Sequence, residues 1–104
     1  MPEISLTEQE IDVLAGYINI ENDGIDMYPG TLDGAALGVA TAEVERLRQT
    51  NGQGVIGPLS ARLAADVLAF FLESFRPMMQ PWEAAATESV VTKLNTASAG
   101  HDPG

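Results

Sequence analysis

Cysteine is absent from this 104-residue chain, histidine and lysine each occur once, and no basic residue precedes Arg46. Without thiols there are no disulfides, no thiolate nucleophile and no cysteine-held zinc. The single histidine, His101, stands beside Asp102 near the end of the chain. A hydrolytic nucleophile with its base and orienting group therefore has no histidine in the body of the chain to use. Neither a Ser-x-x-Lys spacing nor the Glu-x-x-His pair of a four-helix metal centre occurs. The expectation is a protein that is no enzyme and carries no cofactor or catalytic metal. Scarce lysine and arginine also argue against direct nucleic-acid binding, where phosphate contacts dominate affinity. Long apolar runs are missing too. The most apolar segment, 58–76, is interrupted by Arg62, Asp66 and Glu73, leaving Val67 to Leu72 as its longest charge-free run, far below the ~20 residues of a membrane span. No basic segment followed by an apolar one opens the chain, and a cytoplasmic protein is expected.

What the chain has in excess is negative charge, unevenly placed. Ten acidic residues, Glu3 through Glu45, come before Arg46, and the remaining residues carry five acids against five bases, for a net charge of -10. An acidic half of this kind keeps a molecule soluble, docks on a basic protein surface, or imitates a phosphate backbone. With 45% hydrophobic residues, the chain has the composition of a folded domain, and a domain of this size hides roughly two-thirds of its unfolded surface.

The segment Pro58–Arg76 predicts the central element. Its polar residues fall on one narrow stripe, Arg62, Asp66, Glu73 and Arg76, while Leu59, Leu63, Val67, Phe70 and Phe71 form a second stripe and Ala64, Leu68, Leu72 and Phe75 a third. A helix apolar over so much of its circumference must be wrapped by others. The expected fold is all-α, one small domain of about four helices near 7–20, 32–50, 58–76 and 82–95, packed around the third. Thr7-Glu8-Gln9-Glu10 has the capping-box pattern, and Ile11, Leu14, Ala15 and Ile18 give the first helix its core stripe. Thr31 or Asp33 caps the second, whose core stripe is Leu37, Ala40, Val44 and Leu47 and whose stop signal is Asn51-Gly52. Gly30, Gly34, Gly38 and Ala42 recur every four residues, predicting either a tight crossing within the fold or a partner groove. Pro81 suits the first turn of the fourth helix, with Trp82, Ala86, Val90 and Leu94 as its stripe. Thr96 to Gly104 lacks apolar periodicity, so the domain is expected to end at 95 and a disordered tail to follow.

Three stretches invite chemical readings. The segment 21–33 carries Glu21, Asp23, Asp26 and Asp33, and setting Gly24 at the glycine position of a calcium loop brings Asn19, Glu21 and Asp23 to ligand positions. Gly30 then falls where the closing glutamate is required, so the match fails. GQGVIG, residues 52–57, reads G-x-G-x-x-G before a helix, but the segment ahead of it is helical and no βαβ unit is available. It is predicted to be a flexible linker with Val55 and Ile56 in the core. Met78, Met79 and Trp82 form an apolar corner that either plugs the core or meets a partner.

The functional expectation is a small acidic protein-protein interaction or accessory module. It docks on a basic protein partner through Glu21, Asp23, Asp26 and Asp33, or through the corner of Met78, Met79 and Trp82. Homodimerisation is a further expectation. Two other readings stay open: a nucleic-acid mimic that inhibits a DNA- or RNA-binding protein, and a metal-binding or catalytic subunit built on the 21–33 loop.

Overall fold

The computed structural model describes residues 3–22 and 33–99. Along them run β1 (Glu3–Ser5), α1 (Glu8–Asn22), α2 (Gly34–Gln49), β2 (Gln53–Val55), α3 (Pro58–Phe75), a single 3-10 turn (Arg76–Met78) and α4 (Pro81–Ala99). Four helices in one small all-α domain match the reading of the sequence, and α3 is flanked by α1, α2 and α4. The polar stripe of α3 faces outward at Arg62, Asp66 and Glu73, while Ala64, Val67, Leu68 and Phe71 are buried. Leu59, at the start of the second stripe, is 81% exposed, while its neighbours Ser60 and Ala61 are buried, so the first turn of α3 presents a different side to the core from the one the stripe implied.

Local signals explain most helix ends. Thr7 and Glu10 form the predicted box: the Glu10 N–H donates to Thr7 Oγ1 at 3.2 Å, and the Thr7 N–H donates to Glu10 Oε1 at 2.8 Å. Asp33 caps α2 by accepting the Ala35 N–H at 3.1 Å. At the other end of α2 the Gly52 N–H donates to the Leu47 carbonyl at 2.7 Å and the Asn51 N–H to that of Arg48 at 3.3 Å, the paired bonds of a Schellman ending. Asn51 adopts φ 59° and Gly52 φ 83°. Only glycine suits the second position, since a Cβ there would lie 2.3 Å from the Leu6 carbonyl oxygen.

That close approach belongs to a feature the sequence reading lacked. β1 and β2 pair antiparallel, Glu3 opposite Val55, Ile4 opposite Gly54 and Ser5 opposite Gln53, and the Leu6 N–H donates to the Gly52 carbonyl at 2.8 Å. Residues 52–57 are thus a strand with its approaches rather than a flexible linker. Ile56 is fully buried as expected, whereas Val55 is 36% exposed. Three-residue strands are too short for a period of two to register, and Ile4 alone points inward. The fourth helix also departs from expectation, continuing through Thr96–Ala99 with Ala97 buried. Ala97 extends the stripe of Val90 and Leu94 by one turn, but alanine and threonine give little hydropathic signal. Residues 100–104, with His101, lie outside the described residues, as do Gly30 and Thr31.

Of the two readings of the small-residue edge of α2, the tight crossing within the fold is not formed among the described residues. Gly34, Gly38 and Ala42 are exposed, and a Cβ on either glycine would meet nothing within 4 Å. The contact between α2 and α3 runs instead through Glu43. Gly57 precedes α3 and has no side chain to cap it, while Glu43, buried on the inner face of α2, accepts the Gly57 N–H on Oε1 at 2.7 Å and the Ser60 hydroxyl on Oε2. One carboxylate from a neighbouring helix therefore accepts two donors at the start of α3, the Gly57 N–H and the Ser60 hydroxyl, where the helix dipole also favours negative charge.

Because the Glu43 carboxylate and Ser60 are buried and Gly57 is partly so, Glu43→Ala is expected to lower stability by about 2–4 kcal/mol in urea unfolding, and Glu43→Gln by less, since its amide oxygen still accepts one bond. A loss below about 0.5 kcal/mol for the alanine variant would show that this joint is not holding α3.

Candidate interaction surface

The four acids of the 21–33 region do not form one exposed face. The first helix continues through Asn22, which sets Glu21 on the face of Leu14 and Ile18, buried with 6% exposure. Its place in α1, like that of Asn19, also removes both residues from any calcium-loop geometry. Asp33 is exposed but bonded to the first turn of its own helix. Asp23 and Asp26 lie outside the described residues. Among the described residues no group of three histidine, aspartate or glutamate side chains is placed to hold a metal ion, and no helix is long and apolar enough to cross a membrane.

The apolar corner, in contrast, stands open. Pro77 and Pro81 confine the turn between α3 and α4 to a tight connection. In it Met78 is 73% exposed and Trp82 48% exposed, while Met79 packs partly buried against the core. The three residues thus divide: one plugs, two face outward. Trp82 was predicted to continue the Ala86, Val90, Leu94 stripe. At the first turn of α4 it lies past the edge of the core and lines a groove between α1 and α4 instead.

That groove, about 220 Å³, is walled by Asp12, Val13, Gly16, Tyr17 and Ile20 from α1 and by Trp82 and Glu83 from α4. Gly16 opens it, for a Cβ there would touch nothing within 4 Å. Tyr17 fixes its inner wall. The ring stacks on Phe71 with centroids 4.7 Å apart, Phe71 stacks in turn on Phe75 at 5.8 Å, and the Tyr17 hydroxyl donates to Glu83 Oε2 at 3.0 Å. Burial, together with the hydrogen bond to Glu83 and its negative charge, pushes the Tyr17 phenol up to about 12. It is a neutral donor at every physiological pH, and Glu83 is held by it.

No family model, curated protein or solved structure matches this chain. Its surface is therefore read from its own geometry.

Three of the chain's five lysine and arginine residues are paired elsewhere. Lys93 binds the buried Glu10 at 2.7 Å, Arg76 pairs with Glu88, and Arg48 lies 3.5 Å from Glu45. Burial alone would raise the Glu10 carboxyl, but hydrogen bonds from Lys93, Ser89 and the Thr7 backbone outweigh it and bring the group down to about 2. Among the described residues no lysine or arginine nitrogen lies within 4.0 Å of Asp12 or Glu83. A larger cleft of about 710 Å³ runs past Thr7, Glu8, Arg48, Asn51 and Lys93. Its two cations already pair with Glu45 and Glu10, and no aromatic ring lines it.

Sequence reasoning singled out Trp82 but missed Asp12, Gly16, Tyr17 and Glu83 as its neighbours. One signal was present: a tyrosine on an apolar helical face needs a partner for its hydroxyl. Which partner depends on a contact spanning 66 residues.

In a spectrophotometric titration, the folded protein should ionise one of its two tyrosines near pH 12 rather than near 10. The folded pKa exceeds the unfolded one, so this group's contribution to stability is complete below pH 10 and is lost as pH rises through about 12. Glu83→Gln should bring the transition down; a Tyr17 transition unmoved by that change would contradict the bond.

Proposed function

We propose that this chain is a protein-docking module that meets a basic partner at the corner where α3 turns into α4, and performs no chemistry of its own. The observation that carries this reading is Trp82. A half-exposed indole lining a groove flanked by carboxylates without a cation within 4.0 Å, four residues after an exposed methionine, is the composition of an interaction surface rather than of ordinary solvated protein. Net charge of -10 supports a basic partner, drawn in by long-range attraction.

The acidic segment 21–33 loses ground as the docking face, because Glu21 is buried and Asp33 is engaged in capping. A nucleic-acid mimic would need carboxylates in an exposed array. The exposed face described here is half apolar, which favours a protein surface. Self-association through the same face would set Asp12 and Glu83 of one copy against those of another, and like charges meeting across a two-fold interface oppose it.

Affinity capture from the native host should recover a partner that elutes with rising salt and is indifferent to added duplex DNA. Recovery should fall at least about tenfold for Met78→Ala combined with Trp82→Ala, each a typical anchor loss. Unchanged recovery with that double variant would overturn the reading, and displacement by DNA would favour the mimic.

A further inference from the structure

We propose that the groove between α1 and α4 takes a lysine or arginine side chain from a basic segment of the partner, its aliphatic stem along the apolar lining of Val13, Gly16 and Ile20 and its cationic head against Glu83 and the Trp82 ring, with Asp12 adding negative charge further along the groove. The inference rests on the docking assignment made above and adds the chemistry that is recognised.

Three observations carry it. The first is size: at about 220 Å³ the groove is smaller than the ~300–1,000 Å³ of typical small-molecule and cofactor sites, and suits one side chain. The second is the sign of its charge. Its two charged residues are carboxylates, Asp12 and Glu83, and no lysine or arginine nitrogen of the described residues lies within 4.0 Å of either, although Asp12 also borders the larger cleft that holds Arg48 and Lys93. An anionic occupant would be repelled by these carboxylates and a purely apolar one would desolvate them with no compensating charge, whereas a cation is attracted by both. The third is pre-organisation. The Tyr17 hydroxyl holds Glu83 at 3.0 Å while Tyr17 itself is stacked on Phe71, so the acidic wall is set before a ligand arrives. The indole of Trp82 supplies the best of the aromatic faces for a cation, and an extended amphipathic stem matches the apolar lining.

Gly16 provides a test that does not threaten the fold. It lies exposed in the middle of α1 with open space beside its Cα, so Gly16→Leu should favour the helix while filling the groove. Trp82 is the single tryptophan and reports directly. The probe is a short acetylated, amidated peptide with one central lysine, compared with the same peptide carrying norleucine. The lysine peptide should give a saturable change in Trp82 fluorescence, with norleucine binding at least about fivefold more weakly, the scale of a cation–π contact with carboxylate support. Gly16→Leu and Glu83→Gln should each weaken it by a similar factor. Asp66→Asn, which removes the same charge from the outer stripe of α3, should leave binding unchanged.

Equal binding of the norleucine peptide would overturn the cation assignment while leaving a docking corner intact. Equal loss from Asp66→Asn and Glu83→Gln would overturn it in favour of general attraction to an acidic protein. No saturable response, or full binding to Gly16→Leu, would overturn it as well. Failure of the docking assignment itself reads out separately, as partner recovery that survives loss of Met78 and Trp82.

Discussion

The fold depends on a carboxylate that one helix lends to another. Gly57 leaves the start of α3 without a cap of its own, and Glu43 reaches across from α2 to bind the Gly57 N–H and the Ser60 hydroxyl. A side chain at position 57 would crowd that carboxylate, since a Cβ would stand 3.2 Å from Glu43 Oε1. The joint fixes where α3 begins and which way it is turned. With its start held, Phe71 falls against Tyr17 of α1 and against Phe75, and the same rotation sends Arg62, Asp66 and Glu73 outward. α4 then closes the helix array through Lys93 on Glu10 and Glu83 under Tyr17.

Seen this way, the acidic excess is not one undifferentiated solvated coat. Glu10 and Glu43 do structural work at helix starts, Glu45 and Glu88 sit in exposed ion pairs worth little to stability, and Glu21 is buried. Asp12 and Glu83 are different: they flank a groove with an aromatic rim and have no counter-ion among the described residues. Charge that the fold does not neutralise internally, beside apolar surface that the fold does not cover, is the basis for proposing this corner as a docking site.

Much of the architecture was legible in the sequence because it is written in local spacing. The Thr7–Glu10 box, the Asp33 cap, the Asn51-Gly52 ending and the stripes of α1 and α2 each lie within a few residues, and each appears where the spacing puts it, while the stripes of α3 do so in part, with Leu59 exposed and Leu63, Phe70 and Phe75 half-buried. What was not legible is what spans the chain. Ile4 finding Gly54, Glu10 finding Lys93 and Tyr17 finding Glu83 depend on how helices are laid together. Glu43 was half legible: it follows Ala40 by three residues on the core face of α2, an unusual place for a carboxylate, but nothing local names Ser60 as its partner. The glycine edge misled for the opposite reason. Small side chains permit a close crossing without causing one, and α2 turns that edge to solvent. The groove was missed because its walls come from α1 and α4, whose facing the sequence does not state.

Amide shift mapping tests the central claim most directly, by following each backbone N–H as a lysine-bearing peptide or the captured partner is added. The account predicts perturbations gathered on Asp12 to Ile20 of α1 and on Trp82 and Glu83 of α4, with the outer face of α2 silent. Shifts concentrated on Asp33 to Val39 with the α1–α4 groove unmoved would contradict it.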